Sequence, residues 1–375
     1  MGSSLRLGRV AGVDVFLHWT FGLLLAGAVG FYVLTGRPDQ AAAGVGLILA
    51  VFGCVVLHEL GHALAARRFG VPTKDITLYP IGGVARLQRV PEDPTVELVI
   101  AVAGPAVNVV IAGVLWAALV VVGGGVGPPT GLAEPAGALG SNLLWANVVL
   151  VVFNLLPAFP MDGGRVLRAL LAYKLSYARA TQIAAAVGQG MAILFGFVAV
   201  VGRFDPLLLF VALFVYLGAQ QEASAALMRA AVRGLSVRQA MLTEFTTLGV
   251  GATLADAVER LLAGSEQDFL VLGPDGRPAG VLSRRRLVEK LAEAGPAGRV
   301  ADAVEPVGAG VDASALLTDA LEAMQESGRP LLPITERGRV VGVLTMENVA
   351  ELMMLSNAVR RRTGDRPTSF RSAEA

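Results

Sequence analysis

The chain has 375 residues, of which 54% are hydrophobic and 16% are charged, and its mean hydropathy is +0.62. This composition excludes an ordinary soluble enzyme and is typical of a polytopic membrane protein. The formal net charge of +1 predicts no nucleic-acid-binding surface. The single cysteine, Cys54, excludes an intramolecular disulfide and a thiolate metal cluster. Because the N-terminus lacks a small-residue cleavage site, we expect no removable signal peptide.

Six apolar stretches are long enough, at least approximately, to cross a bilayer core, which needs about 20 apolar residues per helix. They are Val15–Leu34, Ala41–Ala65, Val96–Val122, Leu139–Leu156, Ala180–Val201 and Pro206–Leu227. Basic residues cluster before the first stretch and after the second, fourth and sixth, whereas the opposite connections hold only Arg37 and Arg203. By the positive-inside rule, this asymmetry predicts a multi-pass protein of the cell (inner) membrane with both termini in the cytoplasm.

The motif HELGH, residues 58–62, lies in the second apolar stretch, where polar groups are expensive. A charged group at the bilayer centre costs roughly 2.5–3.5 kcal/mol on insertion scales, so these residues indicate a function. The i, i+4 spacing places His58 and His62 on one helix face, at the separation needed to share a zinc ion, with Glu59 beside them. The alternative is a pair of hydrogen-bonded core histidines. Two of only three histidines in the chain have this spacing, which favours the zinc site.

A zinc ion needs a third protein ligand, and the supply of histidine and cysteine is nearly exhausted by Cys54 and His18. We therefore expect a carboxylate. The second and fourth apolar stretches run in the same direction, and Asp162 lies at a depth similar to that of His58. The prolines of NLLPAFPMDGG, residues 154–164, end the helix, and its glycines permit a tight turn. Asp162 as the cap of the next helix is the alternative, which leaves the prolines unexplained.

From about residue 236 the texture changes to two copies of a helix–strand–turn–strand–helix unit. TLADAVERL, 253–261, resembles LLTDALEAM, 316–324, and FLVLGPDGRPAGVLS, 269–283, aligns without gaps on LLPITERGRVVGVLT, 331–345. This pair of units resembles a tandem CBS module, which is a regulatory α/β domain that often binds adenine nucleotides.

HELGH and NLLPAFPMDGG together resemble the site-2 protease family of intramembrane zinc metallopeptidases. The six-span layout resembles the branch of that family that carries a cytoplasmic CBS pair. The resemblance implies that His58, His62 and Asp162 bind Zn²⁺ and that Glu59 is the general base. It also implies that the substrates are single-span membrane proteins, such as anti-sigma factors, cleaved in or near the transmembrane helix under control of the CBS pair.

Two weaker motifs predict contacts with such a substrate. AGPAVN, ending at Asn108, matches the family's G-P-x-x-N element, and Asn108 and Asn154 are candidates for hydrogen bonding to an unwound substrate backbone. The alternative for both is hydrogen bonding between helices. LYPIGGVARL, 78–87, matches the family's glycine-containing β-hairpin, whose edge at Gly82 and Gly83 is a candidate for pairing with an extended substrate strand. The alternative is a plain loop strand.

The second CBS repeat keeps an approximation of a nucleotide-binding pattern. In nucleotide-binding CBS units a Ser or Thr is followed three residues later by an Asp that holds the ribose hydroxyls. The second repeat has Thr345 and Asn348, whose amide still accepts and donates hydrogen bonds. The first repeat has Ser283 and Arg286, and an arginine accepts none. We therefore predict one weak adenine-nucleotide site per chain, or none, with the module serving mainly for dimerisation.

The predicted fold is an α-helical polytopic membrane protein, with six transmembrane helices and a small β-hairpin insert, plus a C-terminal α/β tandem CBS module. The predicted limits are 1–231 for the membrane domain, 236–356 for the CBS module and 357–375 for a basic, disordered tail. The expected partners are the substrate, the lipid bilayer and a second copy of the chain. A CBS-regulated transporter, with His58 and Glu59 as its transport site, and an inactive scaffold are the alternatives. A transporter does not require Asp162 at matched depth in a segment broken by proline and glycine, and the intact HELGH and DGG motifs count against the scaffold.

Overall fold

The structure is a computed structural model, and it describes residues 4–87, 92–127, 139–202, 204–264, 266–308 and 310–363. The chain divides into two compact units, Met1–Leu227 and Met228–Ala375. The first unit carries the apolar stretches and the HELGH motif, and the second carries the predicted repeat. Each unit is built around its own clusters of buried apolar side chains.

The helices of the first unit follow the apolar stretches. They are α1, Thr20–Leu34; α2, Ala41–Arg68; α3, Pro94–Val121; α4, Leu139–Asn154; α5, Asp162–Ala172; α6, Tyr177–Val201; and α7, Pro206–Val232, which crosses the boundary between the units. Within the described residues, α2, α3, α6 and α7 are long and apolar enough to cross a membrane. Helices α1 and α4 are also apolar but have only 15 and 16 residues. The structure therefore contains four candidate spans of full length, where the sequence predicts six.

The predicted start of the first helix, Val15, is wrong. Residues Val13–His18 form a strand, and α1 begins only at Thr20. In this strand Val13 and Val15 are buried whereas the residues between and after them are less so, which is the period of two that a strand imposes. At 1.5 Å per residue, the remaining 15-residue helix is about 22 Å long, against roughly 30 Å of hydrocarbon.

That strand belongs to a four-stranded sheet on the first unit. Its members are β1, Ser4–Val10; β2, Val13–His18; β3, Thr73–Tyr79; and β4, Gly82–Leu87, and they lie in this order across the sheet. β2 pairs with β3 in parallel, and the other two pairs are antiparallel. Strands β3 and β4 form a hairpin between α2 and α3 along the chain. In the part of the chain that the structure describes, β4 is an edge strand.

The chain turns sharply between α4 and α5. Residues 155–161, which contain both prolines, separate the two helices. A β-carbon on Gly163 would lie 2.1 Å from the carbonyl oxygen of Leu156, and one on Gly164 would lie 2.7 Å from the carbonyl carbon of Ala158. Real β-carbons do not approach other atoms so closely, so only glycines let α5 start against this connection.

The second unit contains the predicted repeat, which the structure confirms. The elements are α8, Val237–Ala240; β5, Thr247–Gly249; α9, Leu254–Ala263; β6, Asp268–Leu272; β7, Pro278–Ser283; α10, Arg284–Ala294; β8, Glu305–Pro306; β9, Val311–Asp312; α11, Leu317–Ser327; β10, Leu331–Glu336; β11, Arg339–Thr345; and α12, Met346–Thr363. Each copy runs strand, helix, strand, strand, helix, with a parallel pair followed by an antiparallel hairpin.

The last helix corrects the predicted start of the disordered tail. Helix α12 continues to Thr363, so residues 357–363 are helical rather than disordered. This stretch contains three consecutive arginines, and arginine is among the better helix formers. The rest of the predicted tail, 364–375, lies outside the described residues.

Candidate metal centre

Three buried side chains from α2 and the first turn of α5 meet inside the first unit. His58, His62 and Asp162 are 5%, 4% and 8% exposed. Nε2 of His58 lies 3.1 Å from Nε2 of His62, and Oδ2 of Asp162 lies 3.2 Å from the first and 3.1 Å from the second. The structure therefore brings the three residues predicted as zinc ligands into one triangle of nitrogen and oxygen atoms.

The size of this triangle fits a tetrahedral metal ion. Zinc binds imidazole nitrogen at about 2.0–2.1 Å and carboxylate oxygen at about 2.0–2.2 Å, so neighbouring ligand atoms of a tetrahedron lie about 3.3–3.5 Å apart. The three edges of 3.1–3.2 Å are close to that value. Two histidines and one carboxylate are also a ligand set of catalytic zinc sites, which keep a fourth position open.

Hydrogen bonding shows which nitrogen of His62 faces the centre. Nδ1 of His62 lies 2.6 Å from the carbonyl oxygen of Ile100 on α3, and a carbonyl only accepts. Nδ1 therefore carries the hydrogen, and Nε2 presents a lone pair toward the carboxylate oxygen of Asp162. Two acceptors that face each other inside a protein need a proton or a metal ion between them, and a third ligand atom at the same distance fits the metal ion.

A glycine on α3 keeps the space between the histidines open. A β-carbon on Gly104 would lie 2.2 Å from Nε2 of His62 and 2.8 Å from Nε2 of His58. Any side chain at this position would occupy the centre itself. Gly61 of the same motif has a similar role in packing, because a β-carbon there would lie 2.8 Å from the carbonyl oxygen of Ala103 on α3.

Asp162 is not the cap of the helix that follows it. The residue in the cap position of α5 is Met161, and Asp162 is the first helical residue. Its carboxylate is buried and points to the two histidines rather than to the free N–H groups of α5. The alternative that the sequence left open for Asp162 is therefore wrong, because the turn places the carboxylate opposite α2.

Comparison with known proteins finds a family for each of the two units. The family model described as peptidase family M50 matches residues 46–142 and 137–195, and that of the CBS domain matches residues 237–293 and 309–355. A solved structure described as the site-2 protease from Methanocaldococcus jannaschii is 38% identical, covering 59% of this chain and 95% of that one, with a TM-score of 0.44. The chain belongs to peptidase family M50. Its second unit is a tandem CBS domain.

The names of two curated relatives contain the words zinc metalloprotease. Zinc metalloprotease MJ0392 of Methanocaldococcus jannaschii is 39% identical over 225 residues, which are 59% of this chain and 61% of that protein. The Mycobacterium tuberculosis zinc metalloprotease named Rip3 is 29% identical over 382 aligned residues, 94% of this chain and 93% of that protein. This chain thus covers less than two thirds of the first relative and nearly all of the second.

The first unit, which contains the match to family M50, is called the M50 unit from here on. In this unit Glu59 lies beside the β-hairpin of β3 and β4. A β-carbon on Gly83 of β4 would lie 2.7 Å from Cγ of Glu59, 3.1 Å from its Oε1 and 3.1 Å from Cγ1 of Val55. The edge strand therefore passes directly over the glutamate of HELGH. Gly82 has a φ of +140°, which favours glycine, and no atom of the described residues other than its chain neighbours lies within 4 Å of a β-carbon there.

The two asparagines predicted to bind substrate have different surroundings. Asn108 is fully buried, with Oδ1 2.6 Å from Nδ1 of His58 and Nδ2 donating to Oδ1 of Asn147 at 2.8 Å. In the structure the side chain of Asn108 thus makes hydrogen bonds to neighbouring helices, as in the alternative given for this residue. Asn154 ends α4 and is half-buried, and among the described residues its side chain makes no hydrogen bond. The contact between Asn154 and substrate stays a prediction.

Sequence reasoning did not identify Arg168 and Glu97 as members of a buried ion cluster in the first unit. Arg168 on α5 is 2% exposed, and it donates to Oε1 of Glu97 on α3, from Nε at 2.7 Å, and to Oε1 of Glu222 on α7. Its guanidinium carbon lies 4.9 Å from the ring centroids of both Phe159 and Tyr177. The sequence contained a signal for this cluster, because isolated charged residues in or beside apolar helices are stable only when they pair with an opposite charge.

In the CBS unit, the two residues predicted to bind a nucleotide begin a helix. The hydroxyl of Thr345 donates to Oδ1 of Asn348 at 2.5 Å, and it accepts from the backbone N–H of Asn348 at 3.3 Å. In the first repeat, Ser283 accepts from the backbone N–H of Arg286 in the same way, at 3.3 Å. The repeats therefore share the capping geometry and differ in the residue three positions after the hydroxyl, which is Arg286 in the first repeat and Asn348 in the second.

Proposed function

We propose that this chain is an intramembrane zinc metalloprotease that hydrolyses a peptide bond in or near the transmembrane helix of single-span membrane proteins. The observation that carries the proposal is the buried triangle of His58, His62 and Asp162. The two histidines and Glu59 lie on α2, a helix long enough to cross a membrane. Membership in peptidase family M50 and the names of the zinc metalloprotease relatives support it.

The residues of the site divide the chemistry between them. His58, His62 and Asp162 would hold the ion, and Gly104 leaves the space beside the histidine nitrogens free of a side chain. Zinc, when bound, activates a water molecule and polarises the scissile carbonyl. Glu59 accepts the proton of the attacking water and returns it to the leaving amine. Glu59 lies on the same helix as His58 and His62, so the HELGH motif fixes the position of the general base relative to these two ligands.

The edge strand β4 supplies the place where an unwound substrate binds. A helical substrate hides its carbonyls in its own hydrogen bonds, so it has to become extended before hydrolysis. An exposed strand edge offers N–H and C=O groups to such a segment. Gly83 of β4 lies against Glu59, so a substrate strand paired there passes close to the general base. Gly82, Gly83 and Asn154 are the proposed substrate contacts.

For the membrane topology, we propose that the shorter helices α1 and α4 also cross the bilayer, which gives six spans with both termini in the cytoplasm. The distribution of arginine and lysine between the connections supports this orientation. Reporter fusions within residues 70–95 and after residue 227 are expected to report the cytoplasm, and fusions at 123–137 the outside. An external location for the region after residue 227 would contradict the proposal.

The CBS unit is proposed to modulate proteolysis and to bring two copies of the chain together. In the proposed topology the CBS unit follows the last span and lies in the cytoplasm, where adenine nucleotides are present. The substrate is proposed to be a membrane protein of the anti-sigma-factor kind, from which hydrolysis frees a cytoplasmic fragment. A transporter with the same intramembrane groups is the second candidate, and the three-ligand geometry favours the protease.

The experiment that tests the proposal compares membranes that contain the wild-type chain with membranes that contain Glu59→Gln. The wild type is expected to release cytoplasmic fragments of single-span proteins, whereas the variant accumulates the intact substrates. Because a positioned general base contributes about 10²–10⁴-fold, Glu59→Gln should lose activity by that order and still bind zinc. Equal fragment release by both proteins, or no release by a zinc-loaded wild type, would contradict the proposal.

A further inference from the structure

The network behind His58 begins at a backbone carbonyl on α4. Nδ2 of Asn147 lies 2.9 Å from the carbonyl oxygen of Leu143 and 3.4 Å from Sγ of Cys54. Oδ1 of Asn147 accepts from Nδ2 of Asn108 at 2.8 Å, and Oδ1 of Asn108 lies 2.6 Å from Nδ1 of His58. Asn108 and Asn147 are both fully buried, so no solvent competes for these groups.

The direction of every hydrogen bond in this network follows from its first member. A carbonyl only accepts, so the group of Asn147 that faces Leu143 has to be the NH₂ group, which turns Oδ1 toward Asn108. Asn108 then has to present its own NH₂ group to Asn147, which turns its Oδ1 toward His58. Nδ1 of His58 therefore carries the hydrogen. Its Nε2 is left with the lone pair that faces Asp162 and His62.

We propose that Asn147 is a positioning residue for metal binding. It orients the amide of Asn108, and the oriented amide selects the tautomer of His58 whose Nε2 binds the ion. The inference rests on the proposed zinc site and extends it to a residue of α4 that does not touch the centre. The backbone carbonyl of Ile100 performs the same task for His62 directly, without an intermediate side chain.

Replacement of Asn147 by an apolar residue should release the amide of Asn108. In Asn147→Leu, Nδ2 of Asn108 loses its acceptor, and a rotation of the amide then presents the NH₂ group to Nδ1 of His58. That arrangement favours the tautomer with hydrogen on Nε2, which has no lone pair for the ion. Loss of a group that orients a metal ligand typically lowers metal affinity by about 10–100-fold. We expect a loss of zinc affinity of that size.

A second substitution separates orientation from packing. Asp is an acceptor in both orientations, so Asn108→Asp fixes the hydrogen of His58 on Nδ1 whatever occupies position 147. The double variant Asn108→Asp, Asn147→Leu should therefore recover the wild-type tautomer. The control is Ser141→Ala on the same helix, because Ser141 is buried and donates to the carbonyl oxygen of Gly127 at 3.0 Å, outside the network.

The experiment uses the purified full-length chain and has two readouts besides activity. Zinc affinity is measured by competition with a chromogenic chelator. The tautomer of His58 is read from the ¹⁵N spectrum of histidine-labelled, metal-free protein at a pH where the imidazole is neutral, which three histidines per chain keep simple. The expected result is the Nε2–H form and weakened zinc binding in Asn147→Leu alone, with Ser141→Ala resembling the wild type.

Three outcomes are distinguishable from this result. Unchanged affinity and tautomer in Asn147→Leu would overturn the inference. Weakened binding with the wild-type tautomer, or with a tautomer that Asn108→Asp does not restore, would assign Asn147 a packing role and also overturn it. A wild type that binds no zinc would overturn the proposed function instead, and the tautomer of metal-free His58 would still decide the role of Asn147.

Discussion

Gly104 on α3 lies so close to His62 on α2 that a β-carbon on the glycine would be 2.2 Å from Nε2 of the imidazole. The same atom would be 2.8 Å from Nε2 of His58. Gly104→Ala is therefore expected to push both nitrogens apart and to fill the space between them. We predict that the variant loses most of its zinc and its proteolytic activity, as measured by the zinc content per chain of purified protein.

Gly113→Ala is the matched control for this variant. Gly113 lies on the same helix, and no atom of the other described residues outside its own helical turn lies within 4 Å of a β-carbon placed there. An alanine is the better helix former by about 1 kcal/mol, so this control should be at least as stable as the wild type. Full zinc content in Gly104→Ala would show that the histidines do not converge on an ion.

Asp162→Ala tests whether the carboxylate is a metal ligand or a helix cap. If the carboxylate is a ligand, its loss should lower the zinc content and stop cleavage, because only two of the three protein ligands remain. Asp205 provides the comparison, since its carboxylate caps α7 by accepting from the N–H groups of Leu207 at 2.9 Å and Leu208 at 3.1 Å. Asp205→Ala should cost about 1 kcal/mol of stability and keep the zinc. Similar behaviour of the two variants would refute the ligand assignment.

The convergence of His58, His62 and Asp162 could be predicted from residue spacing and helix length. The spacing of His58 and His62 is one helical turn, and the position of Asp162 follows from helix direction and length. The hydrogen bonds of the two histidines were not predicted, because their partners Asn108 and Ile100 reach them from a different helix, α3. Strand β2 was predicted as helix for a similar reason. It is apolar enough for a membrane span, and its pairing with β3 joins segments about 60 residues apart.

Gly83→Ala tests the contact between the edge strand and the general base. The added β-carbon would meet Cγ of Glu59 at 2.7 Å, so the carboxylate has to move away from its place beside the metal ligands. We expect normal zinc content and a loss of activity of at least about 10-fold, part of the roughly 10²–10⁴-fold that a positioned base supplies. The loss should appear in kcat more than in KM. Activity is measured with a purified single-span substrate.

Val84→Ala is the control on the same strand, because the side chain of Val84 is 49% exposed and its truncation adds no atom near Glu59. An unchanged kcat in Gly83→Ala would show that Glu59 tolerates displacement, and the role assigned to this glutamate would have to be abandoned.

Arg168→Leu is expected to destabilise the M50 unit strongly. The substitution leaves the buried carboxylate of Glu97 without the guanidinium to which it is bound at 2.5 Å. Removal of one partner from a buried ion pair costs about 3–5 kcal/mol. The thermal midpoint of unfolding in detergent should fall accordingly. Zinc should be lost more readily as well, because α5 carries both Arg168 and the ligand Asp162.

Two further variants show whether the ion pair is responsible. The double variant Arg168→Leu, Glu97→Leu removes both charges of the pair and should recover part of the lost stability. Arg165→Leu removes a half-buried arginine from the same helix and should change the midpoint less. The single variant Glu97→Leu completes the comparison. If the loss of stability in the double variant equals the sum of the losses in the two single variants, the effect comes from packing of the arginine stem against Phe159 and Tyr177.

The CBS unit is predicted to bind at most one adenine nucleotide per chain, at Thr345 and Asn348. The amide of Asn348 still offers N–H groups beyond its contact with Thr345, whereas the guanidinium of Arg286 accepts nothing and is paired with Glu289 at 2.9 Å. Calorimetric titration of the full-length chain with ATP, ADP and AMP measures the stoichiometry. Asn348→Ala should weaken binding roughly 2- to 12-fold, the worth of one hydrogen bond, and Arg286→Ala should leave it unchanged. Two equivalent sites per chain would contradict the prediction, and binding that survives Asn348→Ala would place the nucleotide elsewhere.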